Sequence, residues 1–148
     1  MNRKKVLLFV NGFFILLCTF FLFRGILLSE RLSVIYDLPE NELLEHLDTY
    51  TVLLSSTNQI SDGAQYGGRF KRLSGAMPIG ELNLKTDSSY SVSIHPTHGA
   101  GKVFFISKTT GEFVSASDTG AAVFLKADSY QIYCIGSKFW GSIELVLC

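Results

Sequence analysis

At 148 residues the chain has room for one domain and an appendage; its 13 basic and 13 acidic side chains cancel to a net charge of zero. No basic surplus draws it onto nucleic acid. The 47% apolar content is inflated by the N-terminus, and 12 phenylalanines, six tyrosines and 13 glycines against three prolines suit short strands joined by tight turns.

Residues 1–5 form a basic tip with Arg3, Lys4 and Lys5, and residues 6–28, Val6 to Leu28, are almost wholly apolar. As a helix that stretch rises about 35 Å, against a hydrocarbon core of roughly 30 Å, so it is expected to span a membrane. Asn11 is a polar interruption that must find a partner or reach toward headgroups, and Arg24 lies one turn from the far end, where its long side chain snorkels. A cleaved signal peptide has an apolar run of about 7–15 residues and then a small-x-small site. Here the run is longer, with Leu27 two residues before Ser29 and Phe23 two before Gly25. An uncleaved signal anchor is therefore expected. Cys18 follows Leu17 and not a small residue, which argues against a lipid-bearing cysteine. Gly12-Phe13 ahead of an apolar helix resembles the stem of type IV pilin-like proteins. That family carries a glutamate five residues after the glycine; Leu17 stands there instead, and the charge thought to guide assembly is missing. Three basic residues before the span, against Arg24 and Arg31 at or after its far end, favour a cytoplasmic N-terminus and an extracytoplasmic C-terminal domain.

Residues 29–48 read as a juxtamembrane stem. Asp37-Leu38-Pro39-Glu40 has the pattern of a capping box opening a short linking helix to Leu47, with Leu43, Leu44 and Leu47 on one face. From Thr49 the periodicity becomes twofold, and residues 49–148 read as one β-domain. Strands are expected at 49–55, 69–73, 79–84, 90–94, 103–106, 113–115, 122–126, 130–135 and 142–147, with a polar loop from Ser56 to Gly68. Tyr90, Val92 and Ile94 alternate with polar neighbours, whereas Val103-Phe104-Phe105-Ile106 is continuously apolar, as in a strand covered on both faces. Turn signals every 8–12 residues predict an all-β fold: a small antiparallel β-sandwich, jelly-roll or immunoglobulin-like, preceded by one transmembrane helix and a short linking helix. Asp128 through Leu147 resembles the closing hairpin of small secreted bacterial β-sandwich proteins, which implies the fold and no activity.

Candidate chemistry is sparse. His95-Pro96-Thr97-His98 puts two histidines three apart after a strand; a zinc site needs three or four ligands, and His46 lies far off in the linking helix. His98-Gly99-Ala100-Gly101-Lys102 fails the phosphate-loop pattern at Pro96 and Val103 and leads into a strand. No G-x-S-x-G elbow occurs, and Glu112, Asp118 and Asp128 occupy turns, where acids favour the geometry. No enzyme, metal or cofactor is expected. Cys134 and Cys148, outside the anchor and in the last two expected strands, are a candidate disulfide. Ser137-Lys138-Phe139-Trp140-Gly141 reads as a hairpin tip, where Phe139 and Trp140 are the candidate contact residues. An exposed tryptophan there stacks on a sugar, dips into the lipid interface or anchors a protein. A non-catalytic module binding a protein partner at the membrane surface is the leading expectation, with cell-envelope carbohydrate binding as the alternative; lipid contacts run through residues 6–28.

Overall fold

The computed structural model describes residues 3–60, 65–117 and 119–148. Arg3–Ser33 form one α-helix, α1, unbroken at Asn11 and Arg24. From Phe9 to Leu28 its large apolar side chains are exposed, and by length and composition it suffices to cross a membrane. Two of its polar side chains make local contacts. The Arg24 guanidinium lies 5.6 Å over the Phe20 ring, and the Thr19 hydroxyl donates to the Ile15 carbonyl at 2.5 Å.

The stem is more broken than the sequence suggests. A 3-10 turn at Val34–Asp37 leads to one helical turn, α2, at Glu40–Leu43 and a second 3-10 turn at Leu44–His46. Asp37 is not an N-cap. Leu38 precedes a proline and is extended (ψ 144°), so the helix cannot begin before Pro39, which occupies the cap position without a side-chain bond.

Among the described residues seven antiparallel strands form one sheet: β1 Tyr50–Thr51, β2 Leu54–Ile60, β3 Gln65–Asn83, β4 Ser88–Ser107, β5 Phe113–Ala116, β6 Ala121–Leu125 and β7 Ser129–Leu147. The long strands lie in the order β3-β7-β4; β1 and β2 extend the outer edge of β3, and β5 and β6 that of β4. Each long strand bends near its middle. Register slips fall between Phe70 and Gly75 on β3 and between Pro96 and Ala100 on β4, facing Gly136–Gly141 of β7. Arg72 (φ 54°), Gly75, Gly99 and Lys138 (φ 51°) have left-handed backbones at this corner. At Gly99 (φ 69°) a Cβ would sit 2.3 Å from the Ser137 carbonyl, so glycine is required. Extra residues of this kind bend a sheet and sharpen its twist.

The corner divides the sheet into two limbs. The open limb holds residues 65–70, 90–96 and 141–147 with β2 and β6; the covered limb holds 73–83, 98–107 and 129–139 with β1 and β5. They close face to face. Tyr66 of the open limb rests on Gly80 of the covered limb, where a Cβ would come within 2.6 Å of the ring. Phe70 and Phe139 meet with centroids 6.1 Å apart, and the shared core takes Val92, Ile143 and Leu145 from one limb and Val103, Phe105 and Ile132 from the other. On the covered limb's outer face Phe104, Tyr133 and Ile135 form a second cluster with Ile35 and Leu43 of the stem. The apolar run 103–106 is thus buried on both sides, Val103 and Phe105 inward, Phe104 and Ile106 against the stem.

Three expected connections are strand instead. The segment from Ser56 to Gly68 is most of β2 and the start of β3, paired from Leu54↔Lys71 to Ile60↔Gln65, with residues 61–64 outside the described residues. His95 to His98 continue β4, and Ser137 to Gly141 lie within β7, so Ser129–Leu147 is one strand where a closing hairpin is expected.

Candidate functional site

Because strand residues alternate sides, adjacent Phe139 and Trp140 have opposite fates. Phe139 is 0% exposed in the core, which removes it as a contact residue, and its ring fills the space above Gly101. Trp140 points outward and is half-buried. Its ring centroid lies 6.3 Å from that of His98, edge to face, and its carbonyl accepts the Thr97 hydroxyl at 3.0 Å. Trp140 therefore stands on the sheet's corner, not on a loop tip.

Trp140 closes one end of the open limb's outer face. Two cross-strand rows make up that face: Ser56, Arg69, Ser142 and His95, then Asn58, Gly67, Glu144 and Ser93. Gly67 is part of its shape, since the Asn58 Oδ1 lies only 2.9 Å from where a Cβ would project and the amide reclines on the sheet. Gln65 donates to the Glu144 carboxylate at 2.5 Å. Two adjoining grooves of about 410 and 630 Å³ share Ser56, Arg69 and Ser142; one runs toward Glu144 and the other ends on Trp140 and Leu54. Among the described residues neither Arg69 nor His95 forms an ion pair. The face thus offers a guanidinium, a carboxylate, an amide, an imidazole and hydroxyls beside one aromatic plane. Of these Trp140 and His95 stand out in the sequence, His95 as half of a candidate metal-binding histidine pair; the alternation Ser142-Ile143-Glu144-Leu145 is a signal for Glu144, and none marks Arg69 or Asn58.

A second constellation ties the helix to the corner. The hydroxyls of buried Ser29 and Ser74 are 2.8 Å apart, Arg72 donates through Nε to Ser29 at 3.3 Å, and Lys138 pairs with Glu30 at 2.5 Å.

The remaining candidates have structural occupations. His95 and His98 lie on either side of a register slip, and among the described residues no three His, Cys, Asp or Glu side chains gather as metal ligands. Lys102 donates to the Tyr36 carbonyl at 2.5 Å and lies 4.7 Å over the Tyr36 ring; burial lowers its pKa, against the pull of Asp37 and Glu40. Asp128 accepts the hydroxyls of Ser107 and Thr109 and the Ser129 amide, bonds that lower its pKa and hold the turn. Asp118 lies outside the described residues. The candidate disulfide is not formed: with residues 129–147 as one strand, Cys134 and Cys148 are not cross-strand neighbours. Both are free, Cys134 in the core, where burial pushes its thiol pKa up, and Cys148 exposed.

No protein-family model matches the chain. No curated protein matches it. Solved structures similar to it include the pre-peptidase C-terminal domain of a Bacillus anthracis collagenase, at 10% identity and TM-score 0.39 over 64% of this chain and 88% of that one. A cupin domain from Bordetella pertussis aligns at 12% identity and TM-score 0.33, over 64% of this chain and 92% of that one. A carbohydrate-binding module of a Cellvibrio mixtus lichenase, in complex with cellotriose, aligns at 13% identity and TM-score 0.33, over 70% and 88%. At these TM-scores none of them bears on function.

Proposed function

We propose that the chain is a single-pass membrane protein whose C-terminal jelly-roll-like β-sandwich faces the extracytoplasmic side and binds cell-envelope carbohydrate without catalysis. The observation that carries this reading is the uncovered, polar outer face of the open limb, with Trp140 at its end. A sugar presents hydroxyls on its edges and an apolar ring face, and Arg69, Asn58, His95 and Glu144 beside an indole match both. A protein partner is the second reading. Protein interfaces have an apolar, charge-depleted centre, whereas this face centres on Arg69, Ser142 and Glu144. The anchor rests on α1, whose exposed phenylalanines and leucines form an apolar surface far larger than a soluble protein leaves bare. Orientation rests on Arg3, Lys4 and Lys5 at the cytoplasmic end.

The test is binding of the full-length protein, reconstituted in nanodiscs, to a panel of immobilised neutral and acidic envelope polysaccharides. Retention on at least one polymer is expected. Trp140→Ala and Arg69→Ala should each weaken it by about ten-fold, the scale of one lost stacking or charged hydrogen-bonding contact, with Phe124→Ala on another part of the face unchanged. No retention on any polymer, or retention indifferent to Trp140 and Arg69, overturns the carbohydrate reading. A specific protein cross-linked to this face and lost in the same variants would establish the second reading instead.

A further inference from the structure

The connection between β1 and β2 turns an apolar edge toward the helix. Leu53 there is 67% exposed. Between this connection and α1 lies a groove of about 670 Å³, walled by Cys18, Phe21, Leu22, Ile26 and Leu53, with Arg72 also on its lining. From Cys18 to Ser29, the helical residues at its two ends, is about 16 Å along the axis. Since the apolar run ends at Leu28, nearly all of that length falls within the apolar band of the helix. Arg72, bonded to Ser29, marks the polar end. It holds a left-handed backbone (φ 54°), a conformation unfavourable for a non-glycine residue. Among the described residues no carboxylate pairs with its guanidinium.

We propose that this groove holds one phospholipid of the leaflet around α1, an inference that rests on the anchored reading above. An acyl chain lies between the helix and Leu53, and the phosphate meets Arg72. The apolar wall continues the apolar surface of the helix, so in a bilayer hydrocarbon fills it without exposing polar backbone. At its upper end the planar guanidinium, with one nitrogen on Ser29, keeps further N–H donors for phosphate oxygens, the pairing for which arginine is best shaped. The β1–β2 connection thereby becomes a second, shallow membrane contact beside the helix.

The test uses the full-length protein in vesicles of phosphatidylglycerol and phosphatidylethanolamine, with benzoylphenylalanine in place of Leu53. Photolysis is expected to give lipid adducts. Native mass spectrometry of the parent should show a retained phosphatidylglycerol that falls about ten-fold in Arg72→Gly, the loss of one charged hydrogen-bonding contact. Glycine suits the left-handed backbone there, so a folding defect is not the expected cause, and unchanged polysaccharide retention by the same variant would confirm an intact domain. A chain that floats with the vesicles but gives no lipid adduct at position 53, or gives a protein adduct, overturns the lipid site alone. Unchanged lipid retention in Arg72→Gly overturns the phosphate assignment. A chain that does not float brings down the anchored reading together with the site.

Discussion

The two limbs are made by the same three strands, yet their outer faces have opposite chemistry. Outward positions on the covered limb are Phe104, Tyr133 and Ile135, and the stem lies across them with Ile35 and Leu43. Across the corner the same strands turn out Arg69, Ser142, Glu144, Ser93 and His95, with Val146 exposed near the end of β7, and among the described residues no stem element packs on them. What separates the two is the stem: about 14 residues after α1 fold back over one limb and leave the other bare. The uncovered face is the more polar of the two, and with Trp140 at its end it is the one on which the carbohydrate proposal rests.

The difference is open to direct attack. Phe104→Ala, which empties the stem-facing cluster, should lower stability by about 3–5 kcal/mol, measured as a urea midpoint shift of the full-length protein in micelles. Gly80→Ala pushes a methyl into the Tyr66 ring where the limbs meet and should cost about 1–3 kcal/mol in the same measurement. Glu30→Gln breaks the half-exposed pair with Lys138 and should cost no more than about 1 kcal/mol, an effect that shrinks with added salt. Asp128→Asn tests the turn at the covered limb's far end through pH. Its hydrogen bonds depress the folded-state pKa, so their contribution is present above the unfolded value near 3.9 and is lost as pH falls through the lower folded value. The parent should therefore weaken in acid more steeply than the variant, read from urea midpoints at pH 3 and pH 7. Ser93→Ala, the matched outward substitution on the open limb, should change stability by less than about 0.5 kcal/mol. A large loss there would mean the open face is covered after all.

How much of this was legible in the sequence depended on whether burial or geometry shaped each stretch. The run from Val103 to Ile106 announced its two-sided cover because hydrophobic residues record burial directly. Tyr90, Val92 and Ile94 announced a half-buried strand in the same way. The corner was misread because it is built from turn residues that here bend strands without ending them. Pro96, Gly99, Gly136 and Gly141 carry the signature of a loop, but all lie inside β4 and β7: Pro96 faces Gly141, Gly136 faces Gly101, and Gly99 falls in the register slip between His98 and Ala100. β2 was missed for a related reason: its inward positions, Ser55 and Thr57, are small and polar beneath the rings of Phe70 and Tyr66, so no apolar alternation survives. The candidate site is legible only in Trp140 and, for a different chemistry, in His95, because Arg69 and Ser142 become neighbours only through long-range pairing.

The place of β7 has a consequence for how the domain comes into being. It comes last of the described strands and is the middle strand of the sheet, the hydrogen-bonded partner of both β3 and β4 along nearly their whole lengths. Until residues 129–147 have left the ribosome and, on the anchored reading, crossed the membrane, each of those strands lacks its neighbour. β3 and β4 then wait with long unpaired edges, a state prone to pairing with other chains. Closure of the sheet is therefore set by the arrival of residues 129–147.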